Sequence, residues 1–420
     1  MGSLPARGRA ADDVLGELES FKVDDKDFRA GRVFGLVFHV DEELEHVLTK
    51  AHDAYLWHNA LNPNVFPSLR HMTNDILDVA ASLFGGDDVD DDLAGFLTSG
   101  GTESILMAVK AAKMRAVHER DEHSPNIVVP MSAHAAFDKA CQYFGVESRR
   151  VAVRDDFRAD VDAMTAAIDA STVLIVGSAP QYPQGVIDPI PELAALASDR
   201  GIGCHVDACM GGFVLPFLER SGHDVPPWDF RIPGVTSLSA DVHKYGYAPK
   251  GISVIMHRSK ELRRHQTFAF DGWLGGFYGS SGILGTKPGG PIAAGWAALQ
   301  FLGEDGYRRL SEESFEARRR LVEGVRAIPG LDVLSEPEVT LAAITAAGNG
   351  PQVDVFALGD ELFRQGWHLD RQGPPDSLHA TCMPVHLPVM DEFLTALRES
   401  VDVVTGVHTD DRSTNYAVLE

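Results

Sequence analysis

The chain is organised around Ser239-Ala-Asp-Val-His-Lys244-Tyr-Gly-Tyr-Ala-Pro-Lys250-Gly251, in which a lysine stands between a histidine and a turn rich in aromatic residues and glycine. The run just before it, Gly234-Val-Thr-Ser-Leu-Ser239, has the composition of a strand. The stretch therefore predicts a strand that delivers an amine. A lysine amine is normally protonated at neutral pH, so covalent chemistry requires a lowered pKa or a carbonyl partner. An ordinary surface lysine in a loop is the alternative.

Strand and helix patterns alternate upstream of this stretch. Short β-branched runs predict the strands, and longer periodic segments predict the helices between them. The strands are expected at 126–129, 150–153, 172–176 and 203–206, and the helices at 135–144, 160–169 and 190–200. Such alternation predicts an α/β fold with a mostly parallel central sheet flanked by helices. Strands at 331–334 and 339–344 with helices at 355–365 and 390–404 predict a smaller C-terminal α/β unit.

A glycine-rich segment precedes one of the predicted helices. Gly95-Phe-Leu-Thr-Ser-Gly100-Gly-Thr-Glu103 leads directly into the helical pattern 104–120. Glycines allow a close approach of the backbone, and the unpaired N–H groups of a helix start attract anions, so the segment resembles a phosphate cradle. It matches neither the dinucleotide fingerprint nor the P-loop pattern. Ordinary turn chemistry before a helix is the alternative.

Two further polar residues stand at the ends of predicted elements. Asp207 ends the strand Gly203-Cys-His-Val206 and precedes a Gly-Gly turn, which places a carboxylate at the edge of the sheet where open α/β folds bind ligands. A helix cap is the other interpretation of Asp207. His134 lies at the start of the predicted helix 135–144.

Composition excludes several classes of protein. The 420 residues carry 37 Lys and Arg against 61 Asp and Glu, and the net charge of -24 disfavours nucleic acid and anionic membranes as partners. Four cysteines, Cys141, Cys204, Cys209 and Cys382, show neither metal-ligand spacing nor a disulfide framework. The acidic run 87–92 lacks the ligand spacing of an EF-hand, so no metal site is expected. Neither a signal peptide nor a transmembrane segment is apparent, and a cytoplasmic location is expected.

Together the cradle, His134, Asp207 and the His243-Lys244 pair match the needs of pyridoxal phosphate, which requires a dianion site, a flat partner over its ring, a carboxylate at its ring nitrogen and an amine for its aldehyde. With these features the chain resembles the sphingosine-1-phosphate lyase family of fold-type-I pyridoxal phosphate enzymes, which is related to the group II amino-acid decarboxylases. The resemblance runs from about residue 31 to 379. The motifs that carry it are Thr98-Ser-Gly-Gly-Thr-Glu-Ser-Ile-Leu-Met107, Ala133-His-Ala-Ala-Phe-Asp-Lys-Ala140, Gly177-Ser-Ala-Pro-Gln181, His205-Val-Asp-Ala208 and Ser239 to Gly251.

The resemblance implies a role for each of these residues. Lys244 would bind the cofactor covalently, Asp207 would pair with its ring nitrogen and His134 would stack on its ring. The cofactor-binding set implied in this way is Gly100, Gly101, Thr102, His134, Asp207, His243 and Lys244. Tyr278 or Lys250 is a candidate for the base that takes a proton from the substrate.

The predicted substrate contacts are Asn62, Lys250, Tyr278 and Lys287. Three positions depart from the family pattern, since Phe38 replaces a tyrosine, Asn62 a histidine and Lys287 an arginine. Phenylalanine donates no hydrogen bond, asparagine carries no charge, and lysine lacks the bidentate fork of arginine. Either the specificity has been kept despite these changes, or the substrate's head group differs or lacks phosphate.

The resemblance thus predicts a carbon-carbon lyase that cleaves a 2-amino-3-hydroxy substrate, such as a phosphorylated sphingoid base, into an aldehyde and a small amine. The alternatives are an amino-acid decarboxylase with the same cofactor and a non-catalytic binding protein on the same fold. We expect an N-terminal arm and helix at 1–60, a large cofactor-binding domain at 61–300 and a small C-terminal domain at 301–420. A homodimer is also expected, because active sites of the family lie at a subunit interface.

Overall fold

A seven-stranded sheet forms the centre of the larger part of the computed structural model, which describes residues 4–89 and 92–414. Its strands are β1 Ala94–Thr98, β2 Asn126–Pro130, β3 Glu147–Val151, β4 Thr172–Ser178, β5 Gly203–Asp207, β6 Ser237–Ala240 and β7 Ser253–His257. They lie in the order β1-β7-β6-β5-β4-β2-β3, and β7 pairs antiparallel with both β1 and β6 while the other pairs are parallel. The predicted mostly parallel α/β fold is confirmed.

Helices cover the sheet, and this explains the composition of its strands. Every residue of β2, β4, β5, β6 and β7 is buried, as expected for strands enclosed on both faces. The helices are α1 Ala11–Ser20, α2 Glu42–Ala54, α3 Pro67–Leu83, α4 Gly101–Arg120, α5 Ala136–Phe144, α6 Val161–Ala167, α7 Ile190–Arg200, α8 Leu215–Arg220, α9 Lys260–Arg264, α10 Gly289–Arg326, α11 Val355–Arg364 and α12 Met390–Val404. In the described part of the chain, no helix combines the length and the apolar character needed to cross a bilayer.

A short hairpin projects between α9 and α10. Its strands are β8 Phe268–Phe270 and β9 Tyr278–Ser280, and they pair antiparallel. Large apolar side chains on and between these strands are exposed, including Trp273, Leu274 and Phe277. An exposed apolar patch of this kind usually marks a site of contact with another surface.

The C-terminal part builds a second sheet and a second core. Strands β10 Leu331–Val333, β11 Leu341–Ala346, β12 Asp370–Gln372 and β13 Ser377–Thr381 pair antiparallel in the order β10-β11-β13-β12. The core beneath them includes Phe34, which stacks on His386 at 4.1 Å between ring centroids. The N-terminal arm is therefore packed against the C-terminal unit.

The division into three domains at residues 60 and 300 stays a prediction. Helix α10 continues across residue 300, with one non-helical residue at Gly303, whose φ of 56° favours glycine. Three short stretches of the predicted features lie outside the described residues. They are 1–3 of the N-terminal arm, 90–91 of the acidic run and 415–420 of the C-terminal domain.

Candidate active site

A cavity of about 450 Å³ opens where β1, β5 and β6 end and α4 begins. In an open α/β sheet the carboxyl ends of the strands are the usual place for a ligand. The cavity is lined by all seven residues predicted to bind the cofactor, namely Gly100, Gly101, Thr102, His134, Asp207, His243 and Lys244. Residues from four separate segments of the sequence thus meet around one space.

The floor of the cavity at the start of α4 has the character of an anion site. The N-cap residue Gly100 has no side chain that could accept the first N–H groups of this 20-residue helix, so these groups are left for a ligand. Gly101 is required here, because a Cβ atom would lie 2.8 Å from both Asp241 carboxylate oxygens and from Cys209 Sγ. Gly101 therefore lets the start of α4 pack directly on Asp241 and Cys209, and neither Gly100 nor Gly101 has a side chain that would keep a phosphate from the backbone N–H groups.

His243 stands beside this helix start. A Cβ atom on Gly100 would lie 3.5 Å from His243 Cε1. The carbonyl oxygen of Ile252 accepts a hydrogen bond from Nδ1–H of His243 at 2.9 Å, and Nε2 lies 3.7 Å from Asp241 Oδ2. Burial lowers the pKa of His243, while Asp241 acts to raise it. The ring orientation is thus fixed by the backbone of the chain just before β7.

Lys244 is paired with a buried carboxylate. Its Nζ lies 2.9 Å from Asp241 Oδ2, and the Asp241 side chain is 2% exposed. Ser253 Oγ donates a second hydrogen bond to Asp241 at 2.6 Å. Burial acts to raise the pKa of Asp241, but the charges of Lys244 and His243 outweigh it and hold that pKa below its usual range. Asp241 is therefore ionised and orients the Lys244 amine.

Asp207 presents its carboxylate from the end of β5. Its Oδ1 accepts from the Cys209 N–H at 3.1 Å and from Ser239 Oγ at 3.4 Å. Ser239 in turn lies 3.1 Å from His205 Nε2, and burial lowers the pKa of His205 to about 4, so this ring is neutral. One carboxylate oxygen is thus held by the protein while the residue still lines the cavity.

His134 borders the cavity just before α5. Its Nδ1 accepts the N–H of Ala136 at 3.0 Å, which leaves the proton of the neutral ring on Nε2. Burial lowers the pKa of His134, and Lys244 acts in the same direction, although Asp207 opposes them. A neutral imidazole held in this way suits stacking on a flat aromatic ring.

The four predicted substrate residues are not among those that line this cavity. Lys250 lines a separate cavity with Phe38, and its Nζ lies 4.8 Å from the centroid of that ring. Lys287 lies in a third cavity, with its Nζ 4.4 Å from the centroid of Phe96. Tyr278 is on the hairpin strand β9, and Asn62 is exposed in the loop before α3. Lys250 and Lys287 thus line different cavities, and the chain neighbours of Asn62 and Tyr278 line the cavity of Lys287.

Several cavity residues were not singled out from the sequence. Asp241 precedes Lys244 by three residues, and an acidic residue so close to a proposed reactive lysine was a usable signal. Glu103 ends the glycine-rich segment and was given no role there, although it lines the cavity. Others, such as Lys139, Tyr143, Ile283 and Leu284, also line the cavity and had no local signal, because only the folded chain brings them there.

Comparison with known proteins places the chain in a family. Residues 54–346 match the pyridoxal-dependent decarboxylase conserved domain. The chain is 41% identical to a sphingosine-1-phosphate lyase of Arabidopsis thaliana, covering 96% of this chain and 74% of that protein. It is 42% identical to sphingosine-1-phosphate lyase 1 of Rattus norvegicus, covering 95% and 69%. A solved sphingosine-1-phosphate lyase structure from Burkholderia pseudomallei has a TM-score of 0.91 and 38% identity, covering 96% and 92%.

The cavity also fits the cofactor of that family on its own geometry. An uncapped helix start that a Cβ would obstruct suits a phosphate, Asp207 suits a ring nitrogen, and Lys244 supplies an amine. The predicted resemblance, fold, enzyme class and cofactor are confirmed. The chain belongs to the sphingosine-1-phosphate lyase family of pyridoxal phosphate-dependent enzymes.

Proposed function

We propose that the chain cleaves the bond between the α- and β-carbons of a 2-amino-3-hydroxy substrate by a retro-aldol reaction. For a phosphorylated sphingoid base the products would be a long-chain aldehyde and phosphoethanolamine, which would give the protein a role in sphingolipid metabolism. The observation that supports this most strongly is the single cavity that combines an anion site, three carboxylates and Lys244 in a chain about 40% identical to sphingosine-1-phosphate lyases.

Each side chain then has a physical task. Gly101, Thr102 and His243 would bind the cofactor phosphate, and Lys244 would bind the cofactor covalently through Nζ. Pyridoxal phosphate supplies, when bound, an electron-poor ring that stabilises negative charge on the substrate's α-carbon. Asp207 would hold a proton on the ring nitrogen, because an ionised carboxylate favours the charged form of its partner.

Asp241 would orient Nζ of Lys244, with which it is paired at 2.9 Å. His134 would cover one face of the ring. Tyr278 and Lys250 are the proposed candidates for taking the proton of the 3-hydroxyl. Desolvation, and then the nearby Lys244, lower the pKa of Lys250 to about 8, which brings its neutral form within reach at mildly alkaline pH.

The second part of this proposal concerns the head group of the substrate. Lys250 and Lys287 carry the charge available for a substrate phosphate, and each ammonium lies against a phenylalanine ring. Phe38 replaces the tyrosine expected from the family pattern and removes a hydrogen-bond donor beside Lys250. This supports a weakened phosphate site and leaves a non-phosphorylated sphingoid base as the competing substrate.

We also propose that the enzyme is a homodimer. The separate cavities of Lys250 and Lys287 would be explained if a second copy supplied part of each substrate site. The exposed Trp273, Leu274 and Phe277 on the hairpin offer an apolar surface for that contact. A cytoplasmic location is proposed as well, since all four cysteines are free and buried.

A parallel product assay tests the proposal. Purified protein with added pyridoxal phosphate is incubated with sphingoid-base phosphate, free sphingoid base, β-hydroxy amino acids and common α-amino acids. We expect a long-chain aldehyde from at least one sphingoid substrate. Release of carbon dioxide from an α-amino acid without aldehyde would favour the decarboxylase alternative, and no turnover of any substrate would favour a non-catalytic binding protein.

A further inference from the structure

Glu103 is a buried carboxylate whose two oxygens hold different parts of the chain. It lies in the first turn of α4 and is 7% exposed. Oε2 accepts from the Ser99 backbone N–H at 2.7 Å and from Ser99 Oγ at 2.6 Å. Ser99 is followed by Gly100, so this oxygen fixes the loop that forms the anion site.

The other oxygen holds a segment far away in the sequence. Oε1 accepts the backbone N–H of Ile283 at 2.7 Å, 180 residues along the chain. Ile283 belongs to residues 281–285, which follow β9 and which we call the flap segment. Ile283 and Leu284 line the cofactor cavity although their side chains are largely exposed. A single carboxylate therefore connects the anion site to the flap segment.

The glycines of the flap segment independently support a specific contact between this segment and Glu103. A Cβ atom on Gly282 would lie 2.6 Å from Glu103 Oε1 and 2.8 Å from the ring of Phe96. Gly282 is thus needed for the backbone to pass directly over the carboxylate. At Gly285, by contrast, a Cβ atom would meet nothing nearer than Tyr278 Oη at 3.6 Å, which is ordinary contact.

We propose that Glu103 is a positioning residue that couples binding of the cofactor phosphate at the start of α4 to closure of the flap segment over the cavity. The proposal rests on the proposed cofactor site. Coupling of this kind is reciprocal, so a phosphate that orders the loop 99–101 should shift the flap segment towards its closed position, and loss of the flap contact should weaken phosphate binding by the same factor. In this proposal Glu103 acts through Ser99 and Ile283, from which its two carboxylate oxygens accept hydrogen bonds.

Glu103→Gln is the first test variant. An amide has one acceptor oxygen, so in either orientation its NH₂ group faces one of the N–H donors and one of the two connections is broken. Gly282→Ala disturbs the same contact from the side of the flap segment, and Gly285→Ala is the matched control. Glu103→Gln changes the carboxylate and Gly282→Ala changes the flap segment, so the contact between them can be tested even if one of the two variants fails to fold.

Two quantities are measured for each protein. The first is the dissociation constant of pyridoxal phosphate, obtained by absorbance titration. The second is the factor by which pyridoxal phosphate slows hydrogen–deuterium exchange in peptides covering residues 281–285. We expect wild type and Gly285→Ala to bind with similar affinity and to show about tenfold protection. Glu103→Gln and Gly282→Ala should bind about tenfold more weakly, because a hydrogen bond to a charged group is lost, and should lose most of the protection.

The outcomes separate this proposal from the one on which it rests. A merely structural role for Glu103 would change exchange equally with and without the cofactor and leave the protection factor unaltered. Wild-type affinity together with wild-type protection in both Glu103→Gln and Gly282→Ala would overturn the coupling while leaving the cofactor site intact. Failure of the wild type to bind pyridoxal phosphate would overturn the proposed function, and the coupling with it.

Discussion

The pair formed by Lys244 and Asp241 predicts a specific pattern of stability in the cofactor-free enzyme. At 2.9 Å and an effective dielectric constant of about 20, the attraction between the two charges is about 6 kcal/mol. Desolvation of both groups offsets part of this, and removing one partner of a buried pair costs about 3–5 kcal/mol because the other charge is left unpaired. Lys244→Met should therefore lower the free energy of unfolding by about 3 kcal/mol.

Neutralising the second partner should recover much of that loss. Asp241→Asn added to Lys244→Met removes the unpaired carboxylate, and we expect it to restore about 2 kcal/mol. The measurement is urea unfolding of the cofactor-free wild type, both single variants and the double variant. A coupling energy within about 0.5 kcal/mol of zero would show that the two residues act independently and would refute the reasoning.

The pH dependence of the same proteins has a predictable sign. In the wild type the pKa of Asp241 lies below its unfolded value, so the pair contributes stability above the unfolded pKa of about 4, and this is lost as pH falls through the folded pKa. In Lys244→Met burial is less strongly opposed and should raise that pKa. The variant should then gain stability relative to wild type as pH falls from neutral towards 4. If the free energies of unfolding of wild type and Lys244→Met differed by a constant amount over this pH range, the lowered pKa assigned to Asp241 would be contradicted.

Three further predictions concern the chemistry of the site. Lys244→Ala should abolish the borohydride-reducible link to pyridoxal phosphate, as followed by absorbance and peptide mass; a retained link would exclude Lys244 as the attachment point. Asp207→Asn should keep the cofactor bound but lose at least tenfold in kcat, since a neutral partner no longer favours the protonated ring and each pKa unit is worth about 1.4 kcal/mol. A wild-type kcat in Asp207→Asn would show that Asp207 does not keep the ring nitrogen protonated. The combined variant Phe38→Tyr, Asn62→His and Lys287→Arg should raise kcat/KM for a phosphorylated sphingoid base by about tenfold or more, because each change adds a donor or charge. An efficient wild type that the three substitutions leave unchanged would argue against an altered head group.

The fold class and the centre of the site could be predicted from sequence because their signals are local. Alternating strand and helix patterns require only neighbouring residues, and they correctly indicated the parallel sheet. The elements that deliver Asp207 and Lys244 were also apparent, since each combines a strand end with a turn. The phosphate cradle, His134, Asp207 and the His243-Lys244 pair together were enough to predict the cofactor.

The tertiary structure decided what depends on distant parts of the chain. The contact of Glu103 with Ile283 spans 180 residues, and nothing in either segment alone predicts it. Sequence patterns also did not predict that Lys250 and Lys287 would lie in separate cavities, each over a phenylalanine ring. Local sequence determines which elements form and which side chains stand at their ends, whereas packing of those elements determines which side chains meet and how their charges are compensated.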